Sequence, residues 1–364
     1  MVKPKLKSSA PAQVPYYQKM REALEDRNGK AAVGILYGQI CSDGFESVMP
    51  TVREKFTEFA DGGSPDLNFI AGCLHTIDIG VEPDYPGAMR FFDKAGEGGC
   101  TEAFCEMGCI TEEGKAGAPD PFKALLYYSK AIPNSSKAMY RAASLLERGD
   151  GNNHAVELAF PLYRKAAKLN YPPALKRMGD FYLEGKFVAR DEKKAFLCYR
   201  KGARSAFSVS LRQKDRGKIP KDFLRNARQL SRLHYQDHVD SLCRLADCYR
   251  YGWGVEQDQK KALYLYREAA KQGSGEAQFC VAVKYFGARP GDEASRKRGF
   301  RWCKRSAESG FVYGKAALGI CYLNGIGTDQ KTGLAAKWLK EAADGGNDLS
   351  AFLLKWRLPK EPVE

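Results

Sequence analysis

The chain has 364 residues, 44% of them apolar, and a net charge of +14. That apolar share is enough for a folded core, and no run approaches the ~18 consecutive apolar residues of a membrane-spanning helix. Met1 to Gln18 is basic and has no apolar segment, so it reads as a disordered tail and not as a secretory signal.

Tyr16, Met20 and Leu24 stand at i, i+4, i+8 and predict a leading helix over 14–27 that caps one end of the fold. After it, two columns of small residues run through the chain. The first holds Gly72, Gly108, Ala143, Gly179, Ala246, Ala282 and Gly319. The second holds Ala60, Ala167, Ala203, Ala270, Ala307 and Ala343, with Gly96 and Ile132 in the remaining slots. Both columns advance by 35–37 residues, and both make one jump of 67 at the same place. Two columns with one step and one shared interruption mark a repeat array of about eight units, the first with Tyr37 in the small slot.

Residues 241–273 show what one unit is. Leu242, Leu245, Ala246 and Tyr249 make one apolar stripe, and Gly252 and Gly254 then end the helix. Asp258 stands at an N-cap position. Ala262, Leu265, Tyr266, Ala269 and Ala270 form a second stripe, ended by Gly273. Two short helices with narrow apolar faces bury little alone, so the units must stack. In the fourth unit, Pro161 is expected near the first turn of its helix, where a missing N–H costs little.

The jump of 67 leaves an insert over 207–238. Asp222 can cap a helix there, and Arg225, Arg228 and Arg232 share one face of it. From Arg190 to Arg232 there are fourteen Lys/Arg against four Asp/Glu. Arg296, Lys297, Arg298, Arg301, Lys304 and Arg305 form a second basic cluster. Asn347 to Leu358 reads as a closing helix, and Pro359 and Pro362 end the order. The expected organisation is therefore a tail at 1–15, a capping helix and repeats at 16–206, the basic insert at 207–238, repeats at 239–346, and a closing helix and tail at 347–364.

The pattern Met178-Gly179, Tyr182, Gly185, Lys194-Ala195, Tyr199 resembles the Sel1-like repeat of the tetratricopeptide class. So do Leu245-Ala246, Tyr249, Gly252-Trp253-Gly254, Lys261-Ala262 and Leu318-Gly319, Tyr322, Gly325-Ile326-Gly327, Trp338. The likeness spans roughly residues 30–346 and is weakest in the first two units. It implies an all-α fold, a right-handed α-α superhelix (solenoid) of about eight repeats with one basic helical insert. It also implies an adaptor whose first helices line an inner groove. Carried over position by position, the groove residues are Tyr140, Glu147 and Arg148; Lys176, Asp180 and Glu184; and Asp247, Arg250 and Tyr251. Mixed charge with tyrosine suits an extended peptide; the plainer reading of each residue is an ordinary exposed side chain.

Other chemistry has little support. Eleven cysteines is an odd number, and they do not pair once per repeat, so reduced core thiols are the better reading. Cys73, Cys105 and Cys109 are the closest approach to a metal set, but no CxxC and no spaced histidine supports them. His75, His154, His234 and His238 stand in no catalytic motif. The reading is a cytoplasmic, non-enzymatic scaffold without cofactor or metal that binds a protein partner in its groove, with a secreted or host-delivered form left open. The basic insert suits an acidic partner, and a solvated splint is its plainer reading. An RNA- or ribonucleoprotein-associated solenoid is the first alternative. A ligand-binding or hydrolytic protein of a cysteine-rich Sel1-like branch is the second.

Overall fold

The structure, a computed structural model, describes residues 15–25, 35, 39, 45–60, 63–78, 81–149, 153–205, 238–287 and 292–356. The tail at 1–14, most of the basic insert with Arg225, Arg228 and Arg232, and the last eight residues lie outside them. Among the described residues every regular element is a helix. The described residues divide into two compact units, one reaching as far as Ala159 and one starting at Phe160.

The first unit holds α1 (Tyr16–Glu25), α2 (Phe45–Ala60), α3 (Pro65–His75), α4 (Tyr85–Glu97), α5 (Thr101–Glu112), α6 (Pro121–Ala131) and α7 (Ser136–Arg148). Helix α8 (Asn153–Lys168) carries residues of both units. The second unit continues with α9 (Pro172–Glu184), α10 (Glu192–Ser205), α11 (238–251), α12 (Gln259–Lys271), α13 (Gly275–Phe286), α14 (Glu293–Glu308), α15 (Val312–Asn324), α16 (Thr332–Asp344) and α17 (Asp348–Trp356). His238, expected at the end of the insert, already belongs to α11.

Within each unit the packing is serial. In the second, α13 lies against α12, α14 and α15, and α15 against α14 and α16. A first helix thus sits between the second helices of its own and the preceding repeat, giving one layer of first helices and one of second helices. The small column explains why they fit. A Cβ on Gly108 would come 2.5 Å from the Tyr128 ring, one on Gly179 2.5 Å from Tyr199, and one on Gly72 2.6 Å from Phe92. Each ring belongs to the second helix of the same repeat and is at most 1% exposed. No larger residue fits under it without displacing it.

The helix ends follow the sequence. Asp84, Asp120, Asp258 and Asp292 cap second helices through backbone N–H groups, and Ser64, Ser135 and Ser274 cap first helices. Gly254, at φ +67, and Gly327, at φ +68, bring the loop backbone against the start of the preceding second helix. A Cβ there would lie 2.2 Å from the Glu192 carbonyl oxygen and 2.4 Å from that of Arg296. Pro161 is not where the sequence suggested. Because α8 already starts at Asn153, the proline sits in the helix interior and breaks one i→i−4 hydrogen bond. Pro50 does the same in α2.

Candidate interaction site

In the first unit, Tyr140 and Glu147 are half-buried on α7, and Arg148 is exposed at its end. Arg148 is not idle: its Nη2 donates to Glu112 Oε1, and Arg141 Nη1 lies 3.7 Å from Glu112 Oε2. Tyr128 Oη also donates to Glu112 Oε2, at 2.6 Å. Glu112 is therefore a buried carboxylate that joins α5 to α6 and α7. Lys137 Nζ, 2.6 Å from Glu106 Oε1, makes a second link between α5 and α7.

In the second unit the same device recurs. Tyr199 Oη donates to Asp180 Oδ1 at 2.8 Å, and Lys176 Nζ stands 3.3 Å from Asp180 Oδ2. Tyr266 Oη donates to Asp247 Oδ1, and Arg244 holds Asp247 Oδ2 at 2.8 Å while reaching Glu276 on α13 at 3.2 Å. Burial pushes the Tyr199 and Tyr266 hydroxyls above their usual range, and the adjacent carboxylates add to it. Burial likewise pushes the Glu276 carboxyl up, against the pull of Arg244. Asp180 and Asp247 thus brace the first-helix layer. Their buried oxygens are satisfied by the tyrosine of their own repeat.

The remaining groove candidates face outward. Glu184 is exposed at the end of α9, and Arg250 is half-buried beside an exposed Tyr251. Tyr251 stacks on Trp253 with ring centroids 4.9 Å apart, and the Arg250 guanidinium lies 5.2 Å from the Tyr251 centroid. Gln257 and Gln259 both donate to the Arg250 carbonyl, which fixes this corner. Sequence reasoning missed a further aromatic group. Phe279 on α13 lies 5.8 Å from Phe311 and 6.3 Å from Tyr313, and Tyr313 is 58% exposed. Phe279 occupies the same place, three before the small residue, as Tyr140 and Lys176, so the column itself was the signal.

The ten described cysteines are free thiols. On α5, the Cys105 thiol hydrogen-bonds to the Cys109 sulfur, and Tyr128 Oη lies 3.6 Å from it. That bond, with Lys137 and Arg141 close by, holds the Cys109 thiol below its ordinary range, at about 7, against the effect of burial. Burial holds Cys73 up at about 12. Among the described residues no three His, Cys, Asp or Glu side chains are arranged to hold a metal ion. His75 is buried with Nδ1 2.8 Å from the Ala71 carbonyl, and burial lowers the pKa of His238; His234 and the side chain of His154 lie outside the described residues.

The Sel1 repeat family profile matches residues 68–100, 102–132, 136–171, 172–207, 239–274, 275–311 and 312–347. The chain belongs to the Sel1 repeat family. The seven matched Sel1 repeats leave out 208–238, where both small columns jump, and the unit expected around Tyr37. Among relatives, the chitin synthase regulator SKT5 of Saccharomyces cerevisiae is 26% identical over 244 residues, 63% of this chain and 35% of that protein. Chitin synthase regulatory factor 3 of Schizosaccharomyces pombe is 24% identical over 260 residues, 67% of this chain and 28% of its own length. The chain thus spans about a third of the curated relatives it matches. The crystal structure of a Sel1 repeat protein from Oxalobacter formigenes aligns with a TM-score of 0.57 at 22% identity, over 71% of this chain and 94% of that one, which supports the Sel1 solenoid fold. Among the described residues, no helix is long and apolar enough to cross a membrane.

Proposed function

We propose that the chain is a cytoplasmic, non-enzymatic adaptor that binds an extended segment of a partner protein along its first-helix layer. The observation that carries this reading is a division of labour within that layer. Asp180 and Asp247 are tied down by Tyr199 and Tyr266. At neighbouring positions Glu184 and Tyr251 stay exposed, with Tyr251 backed by Trp253 and Arg250. Rigid aromatic anchors beside charged groups are what a peptide site requires, because little side-chain freedom is lost on binding.

The relatives named as chitin synthase regulators support a regulatory adaptor, one that acts on an enzyme without performing its chemistry. The test is capture of the partner from native extract by the intact chain and by an Arg250→Ala, Tyr251→Ala variant. Tyr251 is exposed and Arg250 half-buried, and an unchanged thermal melt checks that the variant folds. Loss of one specific partner on substitution supports the reading, and undiminished capture moves recognition elsewhere. Retention of RNA in place of a protein would favour the ribonucleoprotein alternative, which rests on the basic sequence around Arg225, Arg228 and Arg232.

A further inference from the structure

The positive charge of the second unit is confined to one layer. Helices α10, α12 and α14 together carry fifteen Lys/Arg against four Asp/Glu. The first helices α9, α11, α13 and α15 carry six against five. These three second helices hold a net +11, α16 is neutral, and the first helices hold a net +1, within a chain whose total is +14.

The charge is also in register with the repeat. Three residues before the small residue of each second helix stand Arg164, Arg200, Arg267, Lys304 and Lys340, in five successive repeats. The same column of the first unit reads Thr57, Asp93 and Ser129. Seven residues earlier, about 10 Å along each helix, stand Lys193, Lys260 and Lys297, all exposed. Between the two basic columns lie Leu197, 48% exposed, and Tyr264, 64% exposed. The outward face therefore reads Lys193-Leu197-Arg200 on α10 and Lys260-Tyr264-Arg267 on α12, each at i, i+4, i+7. Lys193, Lys201, Arg204, Lys260, Lys297 and Arg301 make no ion pair among the described residues, where Lys194 and Lys261 pair with the caps Asp191 and Asp258.

We propose that this second-helix wall docks on an anionic phospholipid surface. Two parallel basic columns across several helices form a two-dimensional grid of charge, which matches a plane of headgroup phosphates. A single nucleic-acid strand would engage one line of it, and would want a row of aromatic platforms where the wall offers Tyr264 alone. Leu197 and Tyr264 sit inside the grid, where an apolar side chain flanked by Lys and Arg can enter the headgroup region. The wall is separate from the first-helix layer, so an adaptor can hold its partner on one layer and a membrane on the other.

The test is co-sedimentation of the full chain with phosphatidylcholine vesicles, with and without phosphatidylserine. Binding should require phosphatidylserine and weaken with salt. Replacing Lys260, Arg267, Lys297 and Lys304 with Ala should reduce it by about five-fold per charge, the equivalent of about 1 kcal/mol each. Leu197→Ser with Tyr264→Ser should weaken binding while leaving its salt dependence in place. All six side chains are at the surface, and an unchanged thermal melt checks that each variant folds. The proposal is overturned by equal binding to neutral vesicles, or by undiminished binding of the four-fold variant, which would assign it to the basic sequence outside the described residues. It is also overturned by retention on poly(U), lost in that variant, with no vesicle binding.

Discussion

In three repeats a second-helix tyrosine satisfies a carboxylate of the first helix through its hydroxyl. In two of them, Tyr128 and Tyr199, its ring also fills the space over the glycine of the small column, a place that Phe92 takes in α4 and Leu339 in α16. Tyr266→Phe keeps the ring but leaves Asp247 with Arg244 alone, so a loss of about 1–3 kcal/mol is expected in denaturant unfolding. Gly254→Ala is expected to cost at least as much, since it adds a Cβ 2.2 Å from the Glu192 carbonyl and places a side chain at φ +67. The small columns were legible in the sequence because they repeat. The Asp–Tyr pairing was not, because Asp180 and Asp247 occupy positions that the family likeness assigns to the groove, and only coordinates reveal the tyrosine behind them. Cys109 was equally hidden, since spacing puts it one turn from Cys105 but says nothing of Lys137 and Arg141 across the helix boundary. The Cys105 hydrogen bond lowers the Cys109 thiol, whereas burial raises Cys73 to about 12, so alkylation read by peptide mapping should take Cys109 at a lower pH than Cys73. Lys137→Met should move the Cys109 midpoint upward.

At the scale of the element, the caps and stops were the most readable features. Gly252 and Gly254 follow α11 at positive φ, which the missing Cβ permits, and the Asp258 carboxylate starts α12. Asp258→Ala should lower the unfolding midpoint by removing the acceptor for the Lys260 and Lys261 amides. The same pair lowers the Asp258 carboxyl, first through the Lys261 backbone N–H. The sign follows from that direction: the cap contributes at neutral pH and is lost as acid protonates the carboxylate. Pro161 shows the limit of local reading. A proline suggests a first turn, yet packing along the rest of α8 carries the helix eight residues upstream of it. Phe187 is a second case: it stands where later repeats have their second glycine and adopts φ +62, held by its edge contact with Phe181 at 5.6 Å.

At the scale of the whole molecule, repetition turned weak local signals into a firm one. A single stripe of Leu, Ala and Tyr has many explanations, but two columns sharing one step and one interruption have a repeat array as theirs. Partner choice was not legible in the same way, because the array fixes where side chains stand and leaves their identity free. What each layer displays differs accordingly: the first helices of the second unit are near neutral and aromatic, and the second helices are basic. The central claim is that the near-neutral layer receives the protein partner. Lysine crosslinking of the native complex, read by mass spectrometry, addresses it directly, because both layers carry their own lysines. The account predicts partner crosslinks at Lys176, Lys284 and Lys315 on the first helices. Crosslinks confined to Lys193, Lys260 and Lys297 on the second helices would contradict it.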